Sequence, residues 1–112
     1  MGRIPLTPAD EAVLAAALSE NTARTEWREA FDAVFWPNYP RKVAKHAARQ
    51  SWQRIYSRRL SYKGHEDLLG RIVKGLVWYV GEEWAGRHLQ VIPHAATWLN
   101  QRRWEDAFED IG

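Results

Sequence analysis

The sequence predicts an all-α fold, a single small bundle of four to five helices that forms one domain over residues 1–112. Apolar residues recur at spacings of three and four along most of the chain, as on one face of a helix. The strict alternation typical of strands is nearly absent. A chain of 112 residues is also long enough to bury a core. Its seven tryptophans supply much of the apolar area that a small core needs.

The first two helices are predicted from caps and prolines. Thr7 as a cap and Pro8 at the first helical position predict an N-terminal helix within residues 1–24. A second helix is expected to open at Thr25 and to stop at Pro37, because proline interrupts helical hydrogen bonding. The apolar positions of this second helix are Trp27, Phe31, Val34 and Phe35.

Two longer helices are expected in the middle of the chain, over residues 41–59 and 66–83. The apolar line of the first is Ala44, Ala48, Trp52 and Ile55, and that of the second is Leu69, Ile72, Leu76 and Val80. Gly70 and Gly75 interrupt the second helix. Because a glycine inside a helix costs about 1 kcal/mol relative to alanine, both glycines indicate close packing.

A connector separates these helices from the last one. It is predicted over residues 86–93, with a short extended piece at 89–92. The last helix is expected to begin at His94 or Ala95, with His94 as its cap and Trp98 in the core.

The sequence lacks the usual signatures of enzymes and metal sites. It contains no cysteine, which excludes disulfides, thiolate zinc sites and a cysteine nucleophile. Phosphate-loop spacing is absent, and its four histidines do not form a recognised zinc pattern. We therefore predict no catalytic residue, no metal and no cofactor, and a small enzyme such as a nuclease is the least favoured hypothesis. Since no run of about 18 apolar residues occurs, we expect no membrane partner. The absence of cysteine fits a reducing, cytoplasmic location.

Charge is distributed very unevenly along the chain. Residues 1–40 carry three bases and six acids (−3), and residues 64–112 carry five bases and eight acids (−3). Residues 41–63, the basic segment, carry eight bases and no acid (+8). A basic block of this kind is a common footprint of a polyanion-binding surface. These bases are Arg41, Lys42, Lys45, Arg49, Arg54, Arg58, Arg59 and Lys63.

The basic segment follows directly on a proline-stiffened aromatic stretch, residues 35–40. Bases that neutralise phosphates beside rings that stack on bases are typical of nucleic-acid binding. Lys42, Lys45 and Arg49 are expected to share one helical face. The predicted nucleic-acid-binding residues are Trp36, Tyr39, Arg41, Lys42, Lys45, Arg49, Arg58 and Arg59. Two alternatives stay open: the two rings pack in the core, and the basic segment is a solvated face or pairs with the acidic termini.

A helix-turn-helix motif is not indicated, because the gap from Arg59 to Glu66 exceeds its usual turn of about three to four residues. No helix presents a clear base-reading face. We therefore expect DNA to be bound without sequence specificity.

Two stretches resemble C-terminal modules of phage and prophage DNA replication proteins of the replisome-organiser or primosomal kind, over about residues 31–106. Residues 31–52 resemble F-x-x-F-W-x-x-Y-P-R-K-x-x-K-x-x-A-x-x-x-W, with Phe31 one residue out of position. Residues 92–106 resemble I-P-H-P-A-T-W-L-N-Q-x-R-W-E-D, with Ala95 in place of a proline. The resemblance implies a role beside origin melting or helicase loading in a bacterial host, with a replicative helicase or its loader as partner.

These observations lead to two main hypotheses of function. In the first, the chain is a nucleic-acid-associated module of a phage-type replication assembly, and its basic helix contacts phosphates. In the second, it is a small phage protein that acts as a protein–protein adaptor or as an inhibitor of a host nucleic-acid-processing machine.

Overall fold

The computed structural model describes residues 22–109, which form five helices and several 3-10 turns and contain no strand. The predicted all-α fold is thus confirmed. The N-terminal helix predicted from Thr7 lies outside the described residues. Helix α1 covers residues 22–30, a π turn at Phe31–Phe35 and a last turn at Trp36–Asn38; α2 is Lys45–Ser57, α3 is Leu68–Trp78 followed by a π turn at Tyr79–Glu83, α4 is Ala95–Asn100 and α5 is Asp106–Glu109.

Helix α1 differs from its prediction at both ends. It is already helical at residue 22, so Thr25 lies inside the helix and is not its cap. Pro37 lies within the last turn and does not stop the helix. The π turn explains this, because the Trp36 N–H donates to the Phe31 carbonyl and regular bonding is already interrupted before the proline. Asn38 then donates from its side chain to the Val34 carbonyl at 2.6 Å.

Helix α2 begins at Lys45, four residues later than predicted. Ala44 precedes it in the left-handed conformation, with φ of 55°, and is exposed. It is therefore not part of the apolar line, whereas Ala48, Trp52 and Ile55 are buried as expected. Lys42 likewise precedes the helix, so it does not share a helical face with Lys45 and Arg49. Within this lead-in, the Arg41 side chain donates to the distant Gln90 and Ile92 carbonyls, and the Lys42 side chain donates to the nearby Tyr39 carbonyl.

Helix α3 buries Ile72 and Leu76 as predicted, but its end is different. The π turn at Tyr79–Glu83 shifts the register, so Tyr79 faces the core and Val80 is 40% exposed. Gly75 allows a close approach, since a Cβ there would lie 2.5 Å from the Trp104 Cα. Close packing is thus confirmed at this glycine. At Gly70, a Cβ would instead meet the carboxylate of Asp67, from the turn that precedes α3.

The connector before α4 is a 3-10 turn at Leu89–Val91 and not the extended piece predicted. Helix α4 begins at Ala95 as expected, and Trp98 is fully buried. His94 occupies the cap position, but its side chain makes no capping hydrogen bond. Helix α2 packs closely against α4, which brings the two halves of the chain together.

An aromatic cluster fills the core. Trp27 and Trp52 stack with centroids 4.4 Å apart, and each indole N–H donates to the other residue's carbonyl, at 2.9 and 2.6 Å. Because both N–H groups are satisfied, these large rings are buried without an unpaired donor. This reciprocal pair fixes α1 against α2 and thereby sets the surface that the two helices share.

Candidate nucleic-acid interface

The first two bases of the basic segment are bonded to backbone carbonyls. The Arg41 guanidinium donates to the Ile92 carbonyl at 2.9 Å and to the Gln90 carbonyl at 3.4 Å. The Lys42 ammonium donates to the Tyr39 carbonyl at 2.7 Å. Charge-assisted hydrogen bonds of this kind are stronger than neutral ones. Arg41 therefore ties the lead-in of α2 to the turn before α4.

Tyr39 lies in the core, with no exposed surface. Its hydroxyl donates to the Pro93 carbonyl at 2.6 Å, and its ring lies 5.5 Å from Phe35 and 5.5 Å from Trp84. Burial raises the pKa of this hydroxyl, so the phenol stays neutral. The predicted stacking role requires an exposed ring face, and Tyr39 presents none. The alternative interpretation, that Tyr39 packs in the core, describes its position.

Trp36 is half-buried at the end of α1. Its ring stacks on Phe31 with centroids 5.8 Å apart, and the Lys45 ammonium lies 5.9 Å from its centroid. An aromatic ring beside a cation in this way gains a weak cation–π attraction. Trp36 therefore retains some exposed surface, but its ring is engaged by the fold.

Asp32 on α1 pairs with two of the basic residues that are predicted to contact phosphates. Arg49 donates to both carboxylate oxygens, at 2.8 and 3.0 Å, and the Lys45 ammonium lies 3.2 Å away. These hydrogen bonds, first from Arg49 and then from Lys45, lower the pKa of Asp32 below its ordinary 3.8. Sequence reasoning missed Asp32, although it left open that the basic segment pairs with the acidic termini. For Lys45 and Arg49, this pairing is found.

The later bases of the basic segment, at and just after the end of α2, differ from the earlier ones in their partners. Arg54 and Arg58 are exposed, and neither forms an ion pair or a side-chain hydrogen bond among residues 22–109. Arg59 is half-buried, with its guanidinium 4.3 Å from the Tyr56 ring centroid and donating to the Tyr56 carbonyl at 3.1 Å. Arg54 was absent from the predicted site. The signal that could have found it is its spacing of four residues from Arg58.

An apolar depression lies elsewhere, between α1 and α3. Val34, Val77 and Val80 are 36%, 67% and 40% exposed along it. With Val73 and Leu76 they line a volume of about 280 Å³. Exposed apolar surface of this kind is typical of protein-contacting patches.

The described part of the chain has no group of three or more histidine, aspartate or glutamate side chains that could hold a metal ion. Among its helices, none has the length and apolar character needed to cross a membrane.

The comparisons with known proteins correct the resemblance proposed above. No curated protein and no solved structure matches this chain. One family model matches residues 26–102, and it describes the C-terminal domain of the Legionella vir region protein LvrA. The assignment to phage replication modules was therefore wrong: the aromatic and basic motifs that suggested it lie largely within the stretch that this other family model matches. Because the model covers more than half of the chain, the protein belongs to the LvrA C-terminal domain family.

Proposed function

We propose that this protein is a DNA-binding module that contacts phosphates, without sequence specificity, through the exposed bases at the C-terminal end of α2. The observation that carries the proposal is the pair Arg54 and Arg58, exposed and unpaired within the described chain. They belong to a segment of eight bases and no acid. Bases in such a segment repel one another, and the described part of the fold supplies no partner that would explain the charges of Arg54 and Arg58.

The arrangement on α2 suits a phosphate backbone better than base edges. Arg54 lies in the last turn of α2, and Arg58 is the residue that follows the helix; the Arg58 backbone N–H donates to the Arg54 carbonyl at 3.2 Å, so the two arginines are close together at the C-terminal end of α2. Arginine binds phosphate oxygens with a planar fork of donors. Of the two rings predicted to stack on bases, Tyr39 is buried, and Trp36 is half-buried and stacks on Phe31. Phosphate contacts give affinity without reading the DNA sequence. A module with this role would work in the bacterial cytoplasm.

The test is a salt titration of DNA binding for the wild type and the double variant Arg54→Gln/Arg58→Gln. Each phosphate contact contributes about 0.9 to the slope of log affinity against log salt, so we expect the slope to flatten by about 2. Glutamine is a good helix former, so Arg54→Gln should leave the last turn of α2 intact. Fluorescence anisotropy with one labelled duplex gives both slopes.

The matched control is Lys74→Gln/Arg87→Gln, which removes two charges from outside the basic segment. We expect its slope to parallel that of the wild type. If the Arg54/Arg58 variant also runs parallel to the wild type, these arginines do not contact phosphate and the proposal fails.

A second candidate function is a protein–protein adaptor. The observation that favours it is the apolar depression around Val34, Val77 and Val80, which a binding partner would cover. The same titration separates the two candidates. If the wild type does not bind DNA at low salt, the adaptor function is favoured over DNA binding.

A further inference from the structure

A second basic surface lies beside α2, in a groove that the charge pattern of the sequence did not indicate. The groove runs between the start of α1 and the end of α2 and has a volume of about 560 Å³. Arg24 and Arg28 line it from α1, and Gln53 and Ser57 line it from α2. Residues 1–40 carry net negative charge, which hid these two arginines in the sequence.

The electrostatics of the groove favour an anion. No carboxylate lines it among the described residues. Glu26 and Glu29 instead line the depressions on either side of it. Arg24 and Arg28 are exposed and form no ion pair within residues 22–109. They are one turn apart on α1, so their guanidinium groups can reach neighbouring phosphates on one strand, which follow every 3.4 Å or so along a duplex.

The floor of the groove is aromatic but closed to bases. Trp27 is 5% exposed, because one of its faces stacks on Trp52. The Tyr56 ring is partly buried, with the Arg59 guanidinium 4.3 Å and the Trp27 ring 5.6 Å from its centroid. Trp27 is thus closed to bases, and the Tyr56 ring is already engaged by a cation. Proteins that prefer single strands obtain much of their affinity from stacking on free aromatic faces.

We infer that this groove binds the phosphate backbone of duplex DNA, with Arg24 and Arg28 on one wall and the Gln53 and Ser57 side chains on the other. The inference rests on the proposed function and adds the strand form and a second contact surface. A duplex carries the higher charge density, about one charge per 1.7 Å of axis. Because the groove offers no stacking that would favour a single strand, affinity should depend mainly on the charge density of the nucleic acid, and the duplex should bind more tightly.

The test compares the wild type with Arg24→Gln/Arg28→Gln on a duplex and a single strand of equal length. We expect the wild type to bind the duplex more tightly. The variant should flatten the duplex salt slope by about 2 and weaken duplex binding by about tenfold or more near 0.1 M salt. The conservative variant Arg24→Lys/Arg28→Lys keeps both charges and should keep most of the slope. Circular dichroism and a melting curve confirm that all variants fold.

The outcomes separate this inference from the proposed function. If the wild type binds no DNA, both fail. If Arg54→Gln/Arg58→Gln flattens the slope and Arg24→Gln/Arg28→Gln does not, the groove inference alone fails. Tighter binding of the single strand by the wild type would overturn the duplex preference in the same way.

Discussion

The two halves of the basic segment differ in what their charges do. In the first half, Arg41 bonds to the turn before α4, and Lys45 and Arg49 bond to Asp32. In the second half, Arg54 and Arg58 are exposed and without such partners in the described chain. The same residue types at similar density thus hold the fold together at one end and remain available to a ligand at the other.

The number of bases in a segment therefore does not show how many of them are available to bind a ligand. A guanidinium that donates to a buried carbonyl or to a carboxylate must break those bonds before it meets a phosphate. An exposed and unpaired one loses only hydration and side-chain freedom. The partners that decide between the two cases come from α1 and from the turn before α4, far from the bases in sequence. Substitutions in the first half of the basic segment should therefore lower stability, whereas substitutions in the second half should weaken binding.

The largest expected effect concerns Tyr39, which adjoins the first half. Replacing a fully buried aromatic side chain with alanine removes its packing and leaves a cavity, so Tyr39→Ala should lower the free energy of unfolding by about 3–5 kcal/mol. A stacking role would instead predict near-normal stability and weaker binding to single strands. Urea unfolding followed by tryptophan fluorescence measures the loss. An unchanged unfolding midpoint would remove Tyr39 from the core.

A smaller effect should distinguish Arg41 from Arg58. Arg41→Gln removes a charge-assisted bond to the part-buried Ile92 carbonyl, and we expect a loss of about 1–2 kcal/mol in the free energy of unfolding. Arg58→Gln removes an exposed, unpaired charge and should change stability by less than about 0.5 kcal/mol. The two variants make the same substitution, so each serves as the control for the other. Equal losses would contradict the division of the segment.

Much of the fold could be predicted from the sequence, because the spacing of apolar residues and the breaks between helices are local signals. The start of α4 at Ala95 and the burial of Trp52 and Trp98 followed from these signals. The errors lie where distant contacts override local preference. Periodicity could not reveal that Ala44 adopts a left-handed conformation, or that a π turn at Tyr79–Glu83 exposes Val80.

The candidate site was harder to predict for the same reason. The excess of bases was visible, but which of them are available depends on Asp32, which lies 13 and 17 residues before Lys45 and Arg49. Arg24 and Arg28 sit in a segment whose net charge is negative, so the groove that they line could not be read from composition. In both cases the sequence does not show which side chains of α1 lie close to those of α2.

A small effect on stability, and the sharpest test of the comparison, is expected from Asp32→Asn. Because its pKa is lowered, Asp32 stays ionised even somewhat below pH 3.8, and at neutral pH its carboxylate is charged and holds Lys45 and Arg49. Stability from a lowered pKa is present above the unfolded pKa and is lost as pH falls through the folded one. Because the pair is exposed, removing it should cost little stability. The substitution frees two bases, so DNA affinity should rise and the salt slope should steepen by about 1–2. Anisotropy titrations beside the wild type measure this. A slope that stays the same would mean that the first half of the segment faces away from DNA, and that only its second half contacts the ligand.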